Sequence, residues 1–435
     1  MSLYEQIKEN HHIFSEKKPL SQWEDTRRNA LSQFDKLGFP SKKDEEYKYT
    51  NLKEIIEKQY QFLPQEEHHI SEEELKALHL GEEDFDWVVL VNGKLRPELS
   101  KISDKNIKVL ALDEALSNGE SEALFRPYFN TIANESWAFP NLNLAFAHLG
   151  VALYVPKNTV VEKPIHIFYI SQNQSENTFY NPRNILVVEA GSQIEVIESH
   201  HNFDTSFTFT NSLTEIFTKP NAKADWHKLQ NDTDTSYLVD HTFVKQEKDS
   251  LATVNTFSFG GKLVRNNLDF IQEGENINSF MNGITIIGKD QLVDHHTAVH
   301  HNQPNCESYQ NYKGVFKDNA HGVFNGKVFV DKIAQKTNAY QQNNNILLSE
   351  GATIDSKPQL EIFADDVKCS HGCTVGQLNE DALFYLRARG ISKNEAQALL
   401  LYAFANDAME NIDIEPLKLK ISKLLAEKLE VNIEF

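Results

Sequence analysis

Hydrophobic positions along the chain follow two different periods. Near the N-terminus Trp23, Ala30, Leu31 and Phe34 recur at i, i+7, i+8 and i+11, one face of a helix. Gly38-Phe39-Pro40-Ser41 stops it, because Gly tolerates the helix-ending conformation and Pro cannot continue a helix. Between Glu66 and Asp86 nine acidic residues stand against one Lys, a solvated stretch. Residues 85–91 (FDWVVLV) predict a short strand closed by the turn signal Asn92-Gly93. The pattern changes near residue 148. From there, short β-branched and aromatic runs such as 185–188, 194–196, 207–209, 254–259, 328–330 and 346–348 are cut by Gly, Asn, Asp and Pro every 8 to 15 residues or so. No long amphipathic helix lies between them, which argues against a doubly wound sheet and leaves a sandwich, a barrel or a β-solenoid.

Amides choose among these. Asn338, Asn343, Asn344 and Asn345 fall close together, with Gln335, Gln341 and Gln342 beside them. Stacked amides can form hydrogen-bonded ladders between successive coils of a solenoid, a use that a sandwich lacks. No strict hexapeptide or nonapeptide repeat is visible, which excludes the calcium-binding repeat solenoids. The pattern predicts a parallel β-helix over residues 148–378. It is preceded by a helical and mixed region over 1–147 and followed by a helical domain over 379–435. In the last of these, Ser392-Lys393-Asn394-Glu395 is a capping box, and Ala396, Leu399, Leu400, Ala403 and Phe404 form an apolar stripe. Pro416 suits the first turn of a final helix carrying Leu417, Ile421, Leu424 and Leu425. Helices on both sides are expected to cover the solenoid's ends; a C-terminal bundle also makes a docking surface.

Composition narrows the function. The 435 residues hold 43 Lys and Arg against 63 Asp and Glu, a formal charge of -20. Such a surface repels nucleic-acid phosphates and anionic lipid, and no basic block offsets it. No segment has signal-peptide character or the roughly 20 apolar residues that span a bilayer. Three cysteines, Cys306, Cys369 and Cys373, are no disulfide framework. A cytoplasmic protein, with no nucleic-acid or membrane partner, is expected.

The chain lacks a P-loop; its nearest segment, Gly322 to Val328, has short spacing and no magnesium-holding hydroxyl. It also lacks G-x-G-x-x-G, H-E-x-x-H and G-x-S-x-G. A binding or scaffold protein fits better than a stand-alone enzyme. The densest chemistry is Cys369-Ser370-His371-Gly372-Cys373. On a strand, Cys369, His371 and Cys373 project from one face and offer soft ligands for zinc, iron or an iron–sulfur species, one short of a tetrahedral set. The plain alternative is two packed thiols and a hydrogen-bonded imidazole. Asp365 and Asp366 read as turn carboxylates; as a glycosidase pair they would face opposite sides of a strand. A second cluster runs from Asp294 to His301. Alternation puts Asp294, His296 and His300 on one face and His295 and His301 on the other, an interface or solvated strand more than a metal site.

Taken together these segments resemble the SufD family, the non-ATPase scaffold subunit of the SUF iron–sulfur cluster assembly machinery. The resemblance is strongest from Lys357 to Gly376 (KPQLEIFADDVKCSHGCTVG) and in 383–391 (LFYLRARGI). It extends to Phe324-Asn325-Gly326, to residues 334–337 and 344–348, to Gly38-Phe39-Pro40 and to 45–50 (EEYKYT). It implies a right-handed parallel β-helix between two helical regions, paired through its core with a SufB-like subunit. It also implies a C-terminal domain that holds the ATPase SufC, in a SufB–SufC2–SufD complex. His371 matches the family's interface histidine implicated in cluster assembly, and Cys369 its adjacent cysteine. No tightly bound cofactor is implied, only transient iron or an iron–sulfur cluster, for which Cys369, His371 and Cys373 are the candidate ligands. Gly372 stands where the SufB-like motif has Glu. Cys373 replaces the usual Ala, and Tyr47 a common Trp. A homodimer of the isolated chain is expected, because its β-helix edge can pair with itself.

Overall fold

The computed structural model describes residues 2–17, 23–62, 70–81, 84–117, 119–172, 176–203, 205–409 and 412–430. Its body is a parallel β-solenoid of about eight turns. Each coil contributes one strand to each of two sheets. The first sheet runs through Asp86–Val91, Ile165–Ser171, Gln193–Asn202, Lys223–Gln230, Leu251–Ser258, Asn278–Ile287, Glu307–Phe316, Asn338–Leu347 and Lys368–Gly376. The second runs through Val151–Val155, Arg183–Val188, Thr208–Thr218, Ser236–Gln246, Leu263–Gln272, Leu292–His301, His321–Val330 and Thr353–Ile362. Strands stack in parallel register, for example Leu251 on Asn278 and Glu307 on Asn338. Amides bonded between adjacent coils lie 27 to 31 residues apart in the chain. That drifting spacing is why no strict short repeat shows in the sequence. Several coil corners place Asn or Asp at positive φ, including Asn158, Asn221, Asp249, Asn276, Asn305 and Asp318, a conformation these short polar side chains tolerate.

Alternation along each strand separates an inner from an outer face. Inside, Val196, Trp226, Val254 and Met281 of the first sheet meet Ile216, Val244, Phe270 and Val299 of the second. Of the amide-rich run, only Gln341 bonds an amide side chain of a neighbouring coil among the described residues. Gln341 donates to Gln310 at 3.0 Å, and on the other face of the sheet Asn282 donates to Asn255 at 2.8 Å. Asn338 bonds the Glu307 carboxylate of the coil before, while Asn345 turns to Asn343 in its own strand.

The flanking helices differ from expectation. They lie along the sides of the solenoid, because the outer faces of both sheets are themselves apolar. Helix Glu24–Leu37 buries Ala30 and Phe34 and ends at Gly38 (φ 66), whose N–H donates to the Phe34 carbonyl. With Phe14 and Phe139 it covers Phe179, Phe209 and Phe217 of the second sheet. Helices Lys393–Asn406 and Glu415–Lys428 set Leu401, Leu417, Ile421 and Leu425 on Phe257, Ile284, Ile286 and Val315 of the first. The acidic stretch also differs, since part of it is a helix, Glu72–Leu78, started by a Ser71/Glu74 capping box; residues 66–69 and 82–83 lie outside the described residues. The predicted strand at 85–91 is Asp86–Val91, and it joins the solenoid by pairing in parallel with Ile165–Ser171. Among the described residues no helix is long and apolar enough to cross a membrane.

Two charged clusters fasten the N-terminal region to the second sheet. Fully buried Arg183 pairs with Glu215 at 2.7 Å, and Glu215 accepts from the backbone amides of Asn130, Thr131 and Ile132. Further along, Arg265 donates to the Glu46 carbonyl and pairs with Asp294, which also accepts from Thr50. His296 stands between the Glu46 and Asp294 carboxylates, 3.0 Å from each, and Lys327 also reaches Glu46. The hydrogen bond from His296, helped by Lys327 and opposed by burial, pulls the Glu46 carboxyl from 4.5 down to about 2. A depressed carboxyl stabilises the fold above its unfolded pKa, and that contribution disappears as pH falls toward the folded value. Because Glu46 is partly exposed, Glu46→Gln should lower stability at pH 7 by only about 1–2 kcal/mol. In urea denaturation at a series of pH values the gap to the parent should narrow below about pH 4.5; a gap that does not change with pH would remove Glu46 from this role.

Candidate functional site

The last rung of the first sheet is Lys368–Gly376, which among the described residues pairs only with Asn338–Leu347. Register places Cys369 on Ala339, His371 on Gln341 and Cys373 on Asn343. Ala339, Gln341 and Asn343 are buried inside the solenoid. The three candidate residues therefore continue inward-facing columns, as alternation predicts. Among the described residues no further coil covers them, so positions that would be core elsewhere open to solvent here.

Their surroundings differ. Cys369 is half-buried against Val328, Ala339, Ala364 and Leu360, and burial pushes its thiol up from the ordinary value. Cys373 is exposed, with its thiol 3.9 Å from the Asn343 Oδ1. The Asn343 oxygen also accepts from Asn345 at 2.7 Å and from Ser356 at 2.9 Å. The His371 side chain is exposed and makes no hydrogen bond or ion pair to the described residues. Same-face neighbours on a strand are about 6.6 Å apart, so Cys369 and Cys373 stand about 13 Å from each other. One ion cannot be gripped by all three in this arrangement. Among the described residues no three His, Cys, Asp or Glu groups form a cluster able to hold a metal.

The two terminal strands are not equivalent as edges. Thr353–Ile362 carries Asp355, Lys357, Pro358 and Glu361, the charged and proline residues that discourage strand addition. Lys368–Gly376 has one charged residue, Lys368, and a Cβ built at Gly372 or Gly376 would meet nothing within 4 Å. This edge therefore combines open backbone, open space and the inward-facing Cys and His groups. Asp365 and Asp366 are exposed in the bend between the two strands, as turn carboxylates.

The histidine-rich strand Leu292–His301 divides its side chains as alternation predicts, and its histidines are held by hydrogen bonds inside and by carboxylates outside. Inside, His295 bonds Thr285 at 2.9 Å and His301 bonds Ser308 at 2.9 Å; burial depresses them to about 4 and about 3. Outside, His296 belongs to the Glu46 cluster. Burial disfavours the charged form of His300, but the Asp269 carboxylate at 3.3 Å outweighs it and holds the imidazole above its ordinary value. Cys306 is buried, 3.2 Å from the Gly274 carbonyl. Sequence reasoning singled out both residues 45–50 and the strand from Asp294, but not their meeting. Neither segment carries a signal naming the other, and Arg265 stood in no motif.

Comparison with known proteins agrees with this architecture. Residues 169–404 match the family model described as "SUF system FeS cluster assembly, SufBD core domain", and residues 1–167 match "SufBD protein N-terminal region". An iron–sulfur cluster assembly SufBD family protein of Synechocystis is 31% identical over 400 residues, 90% of this chain and 88% of the relative. The iron–sulfur cluster assembly protein SufD of Escherichia coli is 30% identical, with 96% of each chain covered. SufD of Bacillus subtilis is 26% identical over the same shares. With a solenoid, two flanking helical regions and family matches running from residue 1 to 404, the chain belongs to the SufBD family of the SUF iron–sulfur cluster assembly system.

Proposed function

We propose that this chain is a non-ATPase scaffold subunit, without catalysis of its own, that builds one half of a cluster-assembly site with a SufB-like partner in the cytoplasm. The observation that carries this is the terminal strand Lys368–Gly376, an unguarded edge presenting Cys369, His371 and Cys373 at the open end of the solenoid. A partner strand added there would satisfy the edge's backbone groups and cover the inward-facing side chains. His371 is the group best suited to act at the junction. An imidazole binds iron when neutral and moves a proton near physiological pH. Cys369 lies two residues away as a half-buried thiol. Because the strand holds its ligands apart, an iron or iron–sulfur cargo at the junction would need further ligands from the partner. Without that partner, the same edge can pair with a second copy about a two-fold axis.

The ATPase SufC would be held by the C-terminal helices. Helix Glu380–Ala388 leaves Phe384 74% and Tyr385 55% exposed, large aromatic surfaces that point to a docking partner. Deleting the whole domain is a poor test, because the other two helices cover the apolar outer face of the first sheet.

His371→Ala should leave stability within about 0.5 kcal/mol of the parent and leave the complex assembled. Cluster supply in a strain that relies on this pathway should fall by about tenfold to a hundredfold. Undiminished supply would remove His371 from the assembly role. Phe384→Ser should weaken binding of the SufC-like ATPase by roughly 2 kcal/mol, about thirtyfold, with the thermal midpoint unchanged. Calorimetric titration reads this directly, and full-strength binding would move the docking surface elsewhere.

A further inference from the structure

Between the N-terminal region and the outer face of the second sheet lies a cavity of about 240 Å³, none of whose lining residues belongs to Lys368–Gly376. For comparison, an apolar cavity of about 150 Å³ takes up benzene. One wall is apolar, formed by Leu37, Pro40, Ala138 and the indole of Trp137. The other is polar, formed by Glu46, Tyr47, Arg265 and His296.

The open polar groups of this cavity are predominantly donors. Arg265 is 2% exposed. Its Nε donates to Asn267 and its Nη1 to Asp294 and the Glu46 carbonyl. Its Nη2 has no carbonyl or carboxylate partner among the described residues, and its guanidinium, part of the cavity lining, lies 3.8 Å over the Tyr47 ring. The Tyr47 hydroxyl oxygen accepts from the Arg265 guanidinium and keeps its own O–H to donate, and the Trp137 indole N–H has no carbonyl or carboxylate partner among the described residues. Helix Ala138–Ala145 begins at this wall with Trp137 as its N-cap and no side-chain cap, which leaves the amides of Ala138 and Phe139 uncapped, while Pro140 has no N–H. The two carboxylates in the lining are already engaged. Asp44 accepts from the Ser41 amide at 2.7 Å, and Glu46 is held by His296 and Lys327. Donors without acceptors beside a flat apolar wall describe a receptor for an oxyanion carried on a planar body.

We propose that this cavity binds a small planar organic carboxylate, its anion on Arg265 Nη2 with Tyr47 and Trp137, its flat body against Leu37, Pro40 and the indole. An inorganic anion alone would leave the apolar wall unfilled. The site draws on both the N-terminal region and the solenoid, so an occupant would hold the two together.

The probe is 2-naphthoate, titrated calorimetrically into the full-length chain, with neutral 2-naphthamide as its control. Saturable uptake of one naphthoate per chain is expected, at least about tenfold tighter than the amide, since a charge-assisted hydrogen bond is lost in the latter. Ala138→Leu, which fills the apolar wall from a half-buried position at the start of a helix, should abolish uptake while the thermal midpoint is retained. Arg265→Lys, which keeps the charge beside Asp294 but loses the second terminal nitrogen, should weaken it roughly tenfold. Absence of uptake, equal affinity for the neutral amide, or undiminished binding by Ala138→Leu would each overturn the proposal.

Discussion

Parallel stacking of one coil on the next is the constraint from which the rest of this structure follows. A strand inside the solenoid has its backbone donors and acceptors satisfied by the coil before and the coil after, and its inward side chains covered by the same neighbours. That arrangement cannot close on itself. It must end, and the rung at which it ends keeps an unpaired edge and an uncovered inner face. Lys368–Gly376 is that rung, and it carries two of the three cysteines and an exposed histidine that makes no hydrogen bond or ion pair among the described residues. Chemistry and incompleteness coincide at one place because the fold leaves only a terminal coil unsatisfied.

The sides of the solenoid show the complementary solution. Both outer faces are apolar enough to require cover, and helices from the two ends of the chain supply it. On the second sheet the cover is also fastened electrostatically. Asp294 is fully buried, and burial alone would raise its carboxyl; Arg265 and His296 reverse that and hold it well below the ordinary carboxylate range. Buried charges of this kind add little net stability compared with apolar packing, but they penalise misplacement, since a displaced partner leaves an ion unpaired. The Glu46–His296–Asp294–Arg265 cluster therefore sets where the N-terminal region sits, and with it the cavity beside Tyr47.

Much of this was legible in the chain. The strand pattern, the helix stop at Gly38 and the capping box at Ser392 each rest on local chemistry, and each appears where that chemistry requires. The single-face placement of Cys369, His371 and Cys373 is likewise a consequence of strand alternation. Their exposure was not legible, because the same alternation buries Ala339, Gln341 and Asn343 one coil earlier. Nothing within residues 369–373 says that no coil follows on top of them.

The sequence by itself determined which residues share a face, because that depends on a two-residue period within one strand. It also determined the class of fold, because the spacing of turn residues and the density of amides are properties of neighbouring positions. Only the tertiary structure decided that the flanking helices run along the sides of the solenoid, that the three thiol and imidazole groups stand too far apart to share one ion, and that Glu46 meets His296. Those outcomes depend on pairs of residues up to about 250 positions apart, brought together by stacking of coils whose length drifts from one to the next. A local pattern cannot encode a register that accumulates over the whole solenoid.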